Sequence, residues 1–557
     1  MTTATMTAKE RQLDWLLGEV LGGETPFGLR TARRAIAPAM PRPRWLAAAL
    51  AVLAAGTALG VALLRREDDG RQAQEPQGVM SREIQWYEAH GPASIDSIPP
   101  TVVNLRCFDF DDAALVHIPH FAKLERLDLS GMDVNDRGYA VSLKITDAGL
   151  AHLAGVPSLR WLSLAGCHEV KGEGLRVLES LPMLEYLDLT YSGVESPAVE
   201  RLALLVSLRE LSLSHCMNFH GRSLAEVAKC AGLRRLHLQG CVMLSEGDAM
   251  HLGKLSQLRC LDLRDCQGRF RGQTESGFSK GGAEPPPPPV QDGIGITDRN
   301  VAALGKLPLE SLLLGGSESL TDAIGGALAK MTTLRHLDLS NLPNTTGDLM
   351  AKIPDGLESL ALDQNPQIDE AALARLPRLA TLKELGLAGL SRLDGATLKA
   401  MLENKQLTTL RLGGVVMPHR VVGTSLRAAD AAILASQKNL QTLDLARAEW
   451  IDGTVLDHIA KLPQLTELNL SWLDLSGTKS DRGKALASLA KSRTLRSLKL
   501  TYCEALQRSW LASLVGAPLK ELDLYGTKLF SAHIREIAKA WPGCTIKMPD
   551  GQRYRVP

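Results

Sequence analysis

Aromatic residues make up only 4% of this 557-residue chain, and neither sign of charge prevails. Lys plus Arg is 63, Asp plus Glu is 62, and the formal net charge is +1. Nothing in that balance points to a partner chosen by bulk charge, such as nucleic acid. Cysteine is sparse and odd in number, nine in all, which argues against a disulfide framework. Two catalytic signatures are missing as well: there is no G-x-x-x-x-G-K-[ST] and no H-E-x-x-H. His117-Ile118-Pro119-His120 is a lone histidine pair interrupted by proline, and Cys167-His168 and His215-Cys216 read as corner packing. Asp109-Phe110-Asp111-Asp112 lacks the glycine and terminal glutamate of a calcium loop and reads as a solvated corner. The sequence therefore predicts no catalytic residue, no metal ligand and no cofactor. What is abundant is leucine, in a chain too long for one ordinary core. Such a composition suits a core built from many similar layers.

One stretch stands apart. Residues 45–64, WLAAALAVLAAGTALGVALL, carry no charge over 20 positions. That is enough for a helix to cross a hydrocarbon layer of about 30 Å. Trp45 borders one end and Arg65-Arg66 the other, as interfacial anchors do. A cleaved signal peptide is the alternative, but 44 residues precede the run and it ends in LLRRE rather than in small residues. Arg30, Arg33, Arg34, Arg42 and Arg44 stand before it; Arg65, Arg66 and Arg71, interleaved with acids, stand after it. This bias predicts a single inner-membrane span with the N-terminus cytoplasmic and the rest extracytoplasmic. Within the tail 1–44, Leu13, Leu16, Leu17, Val20 and Leu21 share one helical face, and Gly22-Gly23 ends that helix. It reads equally as a docking helix or as a surface helix with no partner. Residues 65–97 read as a polar linker and an N-terminal cap.

From Leu105 to Leu519 the pattern L-x-x-L-x-L recurs sixteen times, mostly at intervals of 23 to 25 residues. The first occurrence begins at Leu105, with Phe108 and Phe110 in its later apolar slots. Apolar alternation followed by a helical stretch at this period is the mark of a solenoid. The fuller unit adds a cysteine after the strand, at Cys167, Cys216, Cys241, Cys266 and Cys503. It then adds an I-T-D turn, at Ile145-Thr146-Asp147 and Ile296-Thr297-Asp298. This resembles the cysteine-containing leucine-rich repeats of F-box proteins and of bacterial surface and membrane proteins. The resemblance implies an α/β horseshoe solenoid of about sixteen turns over residues 98–557, with WPGCTIKM near the end as its closing strand. It also implies that the cysteines are packing residues, although the 25-residue spacing of Cys216, Cys241 and Cys266 would admit one disulfide.

Each slot has a physical reason. In the strand after Leu159, Leu162 and Leu164 enter the core while Trp161 and Ser163 face away from it. Thr146 is placed to cap the next helix, and Asp147 to favour its dipole. One turn cannot bury its leucines alone; stacking closes the core.

Four intervals are long: Leu124–Leu159, Leu258–Leu309, Leu407–Leu440 and Leu465–Leu495. In each, the surplus follows the strand and precedes the helix, so all four insertions belong on one edge. That edge is either a binding rim or merely tolerant of insertion. The second insertion, 267–293, is rich in Gly and Ser, holds five prolines in a row and predicts no core.

The sheet's concave face is the candidate binding surface. Its central column includes Asp128, Ser163, Asp188, Ser212, His237, Asp262 and Asp338, and no two aspartates are neighbours. The adjacent column carries Trp161, Tyr186, Glu210, Arg235 and His336. Aromatic and Arg side chains on a solvent face are typical anchors of interfaces. The candidate partner-binding residues are Trp161, Tyr186, Glu210, Arg235, His237, Asp262 and His336, whereas the stretch around Ala361 and Gly386 offers little to hold. The functional expectation is a non-catalytic, monomeric, membrane-anchored scaffold for a protein or another polymer. A cytoplasmic adaptor, such as the substrate-recognition part of a ubiquitin ligase, is the alternative, and it leaves the apolar span unexplained.

Overall fold

Leucines at alternate strand positions need a partner layer on one side only, and the chain supplies it by stacking one turn on the next. The structure is a computed structural model. It describes residues 85–557, apart from 131–132, 135–139, 142–143, 242–243, 267–294, 404–405, 418–419 and 476–479. The apolar span 45–64, the tail before it and the proline-rich insertion therefore lie outside the described residues. Among the described residues no helix is long and apolar enough to cross a membrane.

A 19-stranded sheet runs through the body Glu83–Pro557. It starts at Tyr87–His90, ahead of the sequence period, and pairs parallel with Asn104–Phe108. Each later strand pairs parallel with the one a turn before, as Trp161–Ser163 does with Tyr186–Asp188. Thr545–Lys547 is the last parallel strand, as WPGCTIKM implied, and Arg553–Arg555 closes the sheet antiparallel to it. Short helical segments return the chain between strands. Several are of the tighter 3-10 form, such as Gly149–Gly155 and Glu173–Ser180. Leu162 and Leu164 from the strand meet Leu150 and Leu153 from the helical side, all fully buried.

One detail of the sequence frame is corrected. Leu105 pairs with Leu127, the middle leucine of its turn, and not with Leu124. Val102, Leu105 and Cys107 fill the three buried slots, and Phe108 lies only half-buried. Val and Cys serve these slots as well as leucine does, while Phe108 and Phe110 imitate the pattern three residues out of frame.

The Cys slot does more than fill space. Cys167, Cys216, Cys241, Cys266 and Cys503 each donate the thiol hydrogen to a leucine carbonyl of the preceding turn, at 3.0–3.4 Å. In another turn Asn365 takes the place and reaches Leu339 O at 2.7 Å. All nine cysteines are buried thiols outside any disulfide.

The I-T-D turn likewise acts between turns. Thr146 accepts from the Ala148 N–H but does not cap the helix Gly149–Gly155, whose N-cap is Ala148, and it gives both its N–H and its hydroxyl hydrogen to the Asp112 carboxylate one turn earlier, at 2.8 and 2.6 Å. Asp147 in turn accepts from the Lys171 and Gly172 N–H groups of the next turn. The same staple joins Thr321 to Asp298 and Thr346 to Asp322. Asp112, from the acidic corner at 109–112, is thus a turn-to-turn clamp, and Asp111 caps the helix Asp112–Leu115. Two of the four insertions contain described hairpins, Asp133–Val134 with Ala140–Val141 and Val415–Met417 with Arg420–Val422. Both leave the body between a strand and its following helix.

Candidate binding face on the sheet

The strand register decides which outward side chains meet. Trp161, Tyr186, Glu210 and Arg235 occupy one column on four successive strands. Ser163, Asp188, Ser212, His237 and Asp262 form the next column. Six of the seven expected residues therefore adjoin. His336 shares the first column but lies three strands from Arg235, beyond Cys260 and Ser311, and is not brought into the group.

The aromatic members stack. Trp161 and Tyr186 lie nearly parallel, 4.7 Å apart at 7°. Trp86 meets Trp161 edge-on at 5.6 Å. The Arg106 guanidinium lies 5.0 Å from the centre of the Trp86 ring and pairs with Asp128 at 2.8 Å. The sequence reading missed both Trp86 and Arg106. Trp86 precedes the detectable period, and the misframed first turn hid the outward position of Arg106. Aligning Cys107 with the third leucine slot would have revealed it.

Beyond Tyr186 the face becomes charged. The Glu210 carboxylate takes Arg235 Nε on one oxygen at 2.5 Å and faces His237 Nε2 from the other at 3.4 Å. Burial alone would lower the His237 pKa. The Glu210 hydrogen bond and the charges of Asp262, Glu210 and Asp188 outweigh that and hold it above the usual imidazole value. Burial pushes Glu210 up, but the bonds from His237 and Arg235 bring it below the usual carboxylate value. The Tyr186 phenol is pushed up, by burial first and then by the charges of Asp188 and Glu210, so it stays protonated at neutral pH. Asp188 is raised by burial despite two bonds from Thr190.

The central column does not behave as an open polar surface. Asp128, Ser163, Ser212, Asp262 and Asp338 are all buried. Its six aspartates share one task. Each accepts the backbone N–H two residues ahead, at 2.8–3.1 Å: Asp128, Asp188, Asp262, Asp338, Asp444 and Asp523. An aspartate at the strand end is thus a turn-former that draws its carboxylate back along the chain. Asp262 also holds Arg264 at 2.7 Å, so it borders the candidate patch as a structural residue.

The Ala361–Gly386 stretch, bland in sequence, is a crossing. Arg411 reaches over it to Asp363, two strands away, with contacts of 2.7 and 3.1 Å. A Cβ on Gly386 would sit 2.2 Å from the Arg411 guanidinium.

The corner before the Cys slot adopts a left-handed backbone in turn after turn. Glycine stands there at Gly166, Gly240, Gly316, Gly389 and Gly526, but Tyr191, His215, Arg447, Trp472 and Tyr502 also adopt it. These larger residues stack along the edge from which the insertions leave: Tyr191 on His215 at 4.4 Å, and Arg447 over Trp472 over Tyr502 at 4.4 and 4.2 Å. Bulky side chains at a position that other turns give to glycine were the available sequence signal.

Burial pushes the cysteine thiols up, Cys216 to about 12. Among the described residues no group of three His, Cys, Asp or Glu is arranged to hold a metal. What the face offers is shape, aromatic surface and fixed charge.

No model of a known protein family matches this chain. Similar solved structures are an internalin of Listeria monocytogenes (20% identity, TM-score 0.39, 63% of this chain and 82% of that one) and the yeast Rad7–Elc1 complex (19%, 0.41, 69% and 79%). A leucine-rich-repeat protein of Leptospira interrogans is another (17%, 0.35, 82% and 98%). The period, the parallel ladder and the leucine spine decide the architecture. The fold is that of the leucine-rich repeats. The likenesses concern this fold alone.

Proposed function

We propose that the protein is a non-catalytic recognition scaffold that binds a protein partner through one face of its sheet. The observation that carries this reading is a continuous patch: Trp86, Trp161 and Tyr186 in ring contact, running on to Glu210, Arg235 and His237. Large, pre-stacked aromatic groups beside an arginine give contact area at little ordering cost, which is where interface energy concentrates. The uncharged run 45–64 supports anchoring in the inner membrane, with the scaffold held outside as a monomer on the tether that follows. The work is binding without turnover.

The experiment is crosslinking capture from native membranes with the wild-type chain, Trp161→Ala and Arg235→Ala. The wild type retains a partner that both variants lose. Equal capture by all three removes this site. Fractionation with protease protection of the tail tests the anchoring separately.

A further inference from the structure

From Arg160 to Lys383 the residue directly after the first leucine of each turn is charged and forms a column along one margin of the sheet, where opposite signs mostly follow one another. Arg160 pairs with Glu185 of the next turn at 2.6 Å, and Lys383 with Glu358 of the turn before at 2.7 Å. Within that stretch the alternation fails in one place; beyond it Thr408, Gln441 and Thr466 are uncharged, and Arg496 and Lys520 are neighbours of one sign. Backbone bonds of 2.7–2.8 Å set Arg209, Arg234 and Arg259 on three successive strands. Like charges at about 4.8 Å spacing oppose the pairing of their strands. The outer two are partly satisfied: Arg209 turns its guanidinium onto the carbonyls of Val206, Leu208 and Gly232, and Arg259 lies 3.5 Å from Glu310. Among the described residues the exposed Arg234 forms no ion pair. Beside it Arg235, whose side chain is 52% exposed, pairs with Glu210, which also faces His237. The result is a local surplus of positive charge in a chain that is otherwise neutral, next to the Trp161–Tyr186 stack.

We infer that this margin takes an acidic segment of a partner protein, with carboxylates along Arg234, Arg235 and Arg259 and an apolar residue against Trp161. The inference rests on the scaffold reading above and names the partner's chemistry. Arg234 and Arg259 stand on adjacent strands about 4.8 Å apart, within reach of two carboxylates at alternate positions of an extended peptide, about 7 Å apart. A uniformly charged polymer fits less well. Glu210 sits inside the patch and would repel it, and the facing surfaces of Trp161 and Tyr186 are already stacked on each other.

The test uses the full chain in uncharged detergent and a fluorescent glutamate-rich peptide, compared with its glutamine counterpart by anisotropy. The acidic peptide binds at least about tenfold tighter, and the margin shrinks as salt rises. Arg234→Glu with Arg235→Glu abolishes the preference, and Lys438→Glu, on an exposed site elsewhere, preserves it. Should the reversed pair disturb folding, Arg234→Gln with Arg235→Gln abolishes it too. Equal affinity for the two peptides overturns the inference, as does an unchanged preference in the Arg234/Arg235 variants. A charge-matched sulfated dextran that displaces the peptide at equal or lower concentration also overturns it, by assigning the margin to a polyanion. If the native partner is lost with Trp161→Ala and with Arg235→Ala but kept with Arg234→Glu, this inference falls and the scaffold stands.

Discussion

Gly386→Ala should be costly for a reason invisible in its own strand. The added methyl would lie 2.2 Å from Arg411 Nη2 and 2.6 Å from Asp363 Oδ2, so the guanidinium must leave its crossing. The pair is mostly shielded, with Arg411 26% and Asp363 14% exposed. Losing a charge-assisted contact of this kind costs about 1.5–3 kcal/mol. Replacing glycine by alanine in a permissive backbone returns about 0.4–1 kcal/mol by restricting the unfolded chain. The net expectation is a loss of about 1–2 kcal/mol, measured by equilibrium denaturation with urea. A double-mutant cycle isolates the cause. In an Arg411→Ala background the methyl meets no guanidinium, so Gly386→Ala becomes neutral or slightly stabilising. If Gly386→Ala costs the same with and without Arg411, the crossing is not why glycine stands there.

Three further outcomes follow from the same geometry. Asp112→Ala removes the acceptor of the Thr146 N–H and hydroxyl and lowers stability by about 1–2 kcal/mol in urea denaturation, with Asp112→Asn intermediate; no change in either variant would dismiss the turn-to-turn staple. The folded pKa of His237 lies above the imidazole value of 6.5, so its contribution to stability is complete below 6.5 and lost as pH rises through the folded value. Histidine NMR should show this raised titration, and Glu210→Gln should move it down; a shift in the opposite direction would contradict the Glu210–His237 contact. All nine thiols are buried and outside any disulfide, so a thiol reagent should label none in the native protein and all after denaturation; labelling before unfolding at Cys216 or Cys241 would mean an open Cys column.

The parts of this molecule that sequence discloses are the ones fixed by local chemistry repeated many times. Leucine at alternate positions of a strand, with a period near 24 residues, leaves no other way to bury apolar surface. The spine, the strand order and the adjacency of Trp161, Tyr186, Glu210 and Arg235 follow from it. What stayed hidden depends on neighbours one or two turns away. Nothing about Gly386 announces an arginine 25 residues on. The Asp128 series reads as surface charge until the backbone shows each carboxylate bent back onto the N–H two residues ahead. Thr146 and Asp147 looked like a helix start, yet their strongest bonds run to other turns. Trp86 joined the patch from outside the repeat, where periodicity has no hold.

The central claim is that the sheet face, and not the helical side, meets the partner. Photo-crosslinking from native membranes tests this directly, with the reactive group placed either at position 186, on the sheet face, or at position 176, on the exposed helical side. The account predicts a discrete adduct from 186 and none from 176. An adduct from 176 with none from 186 would contradict it.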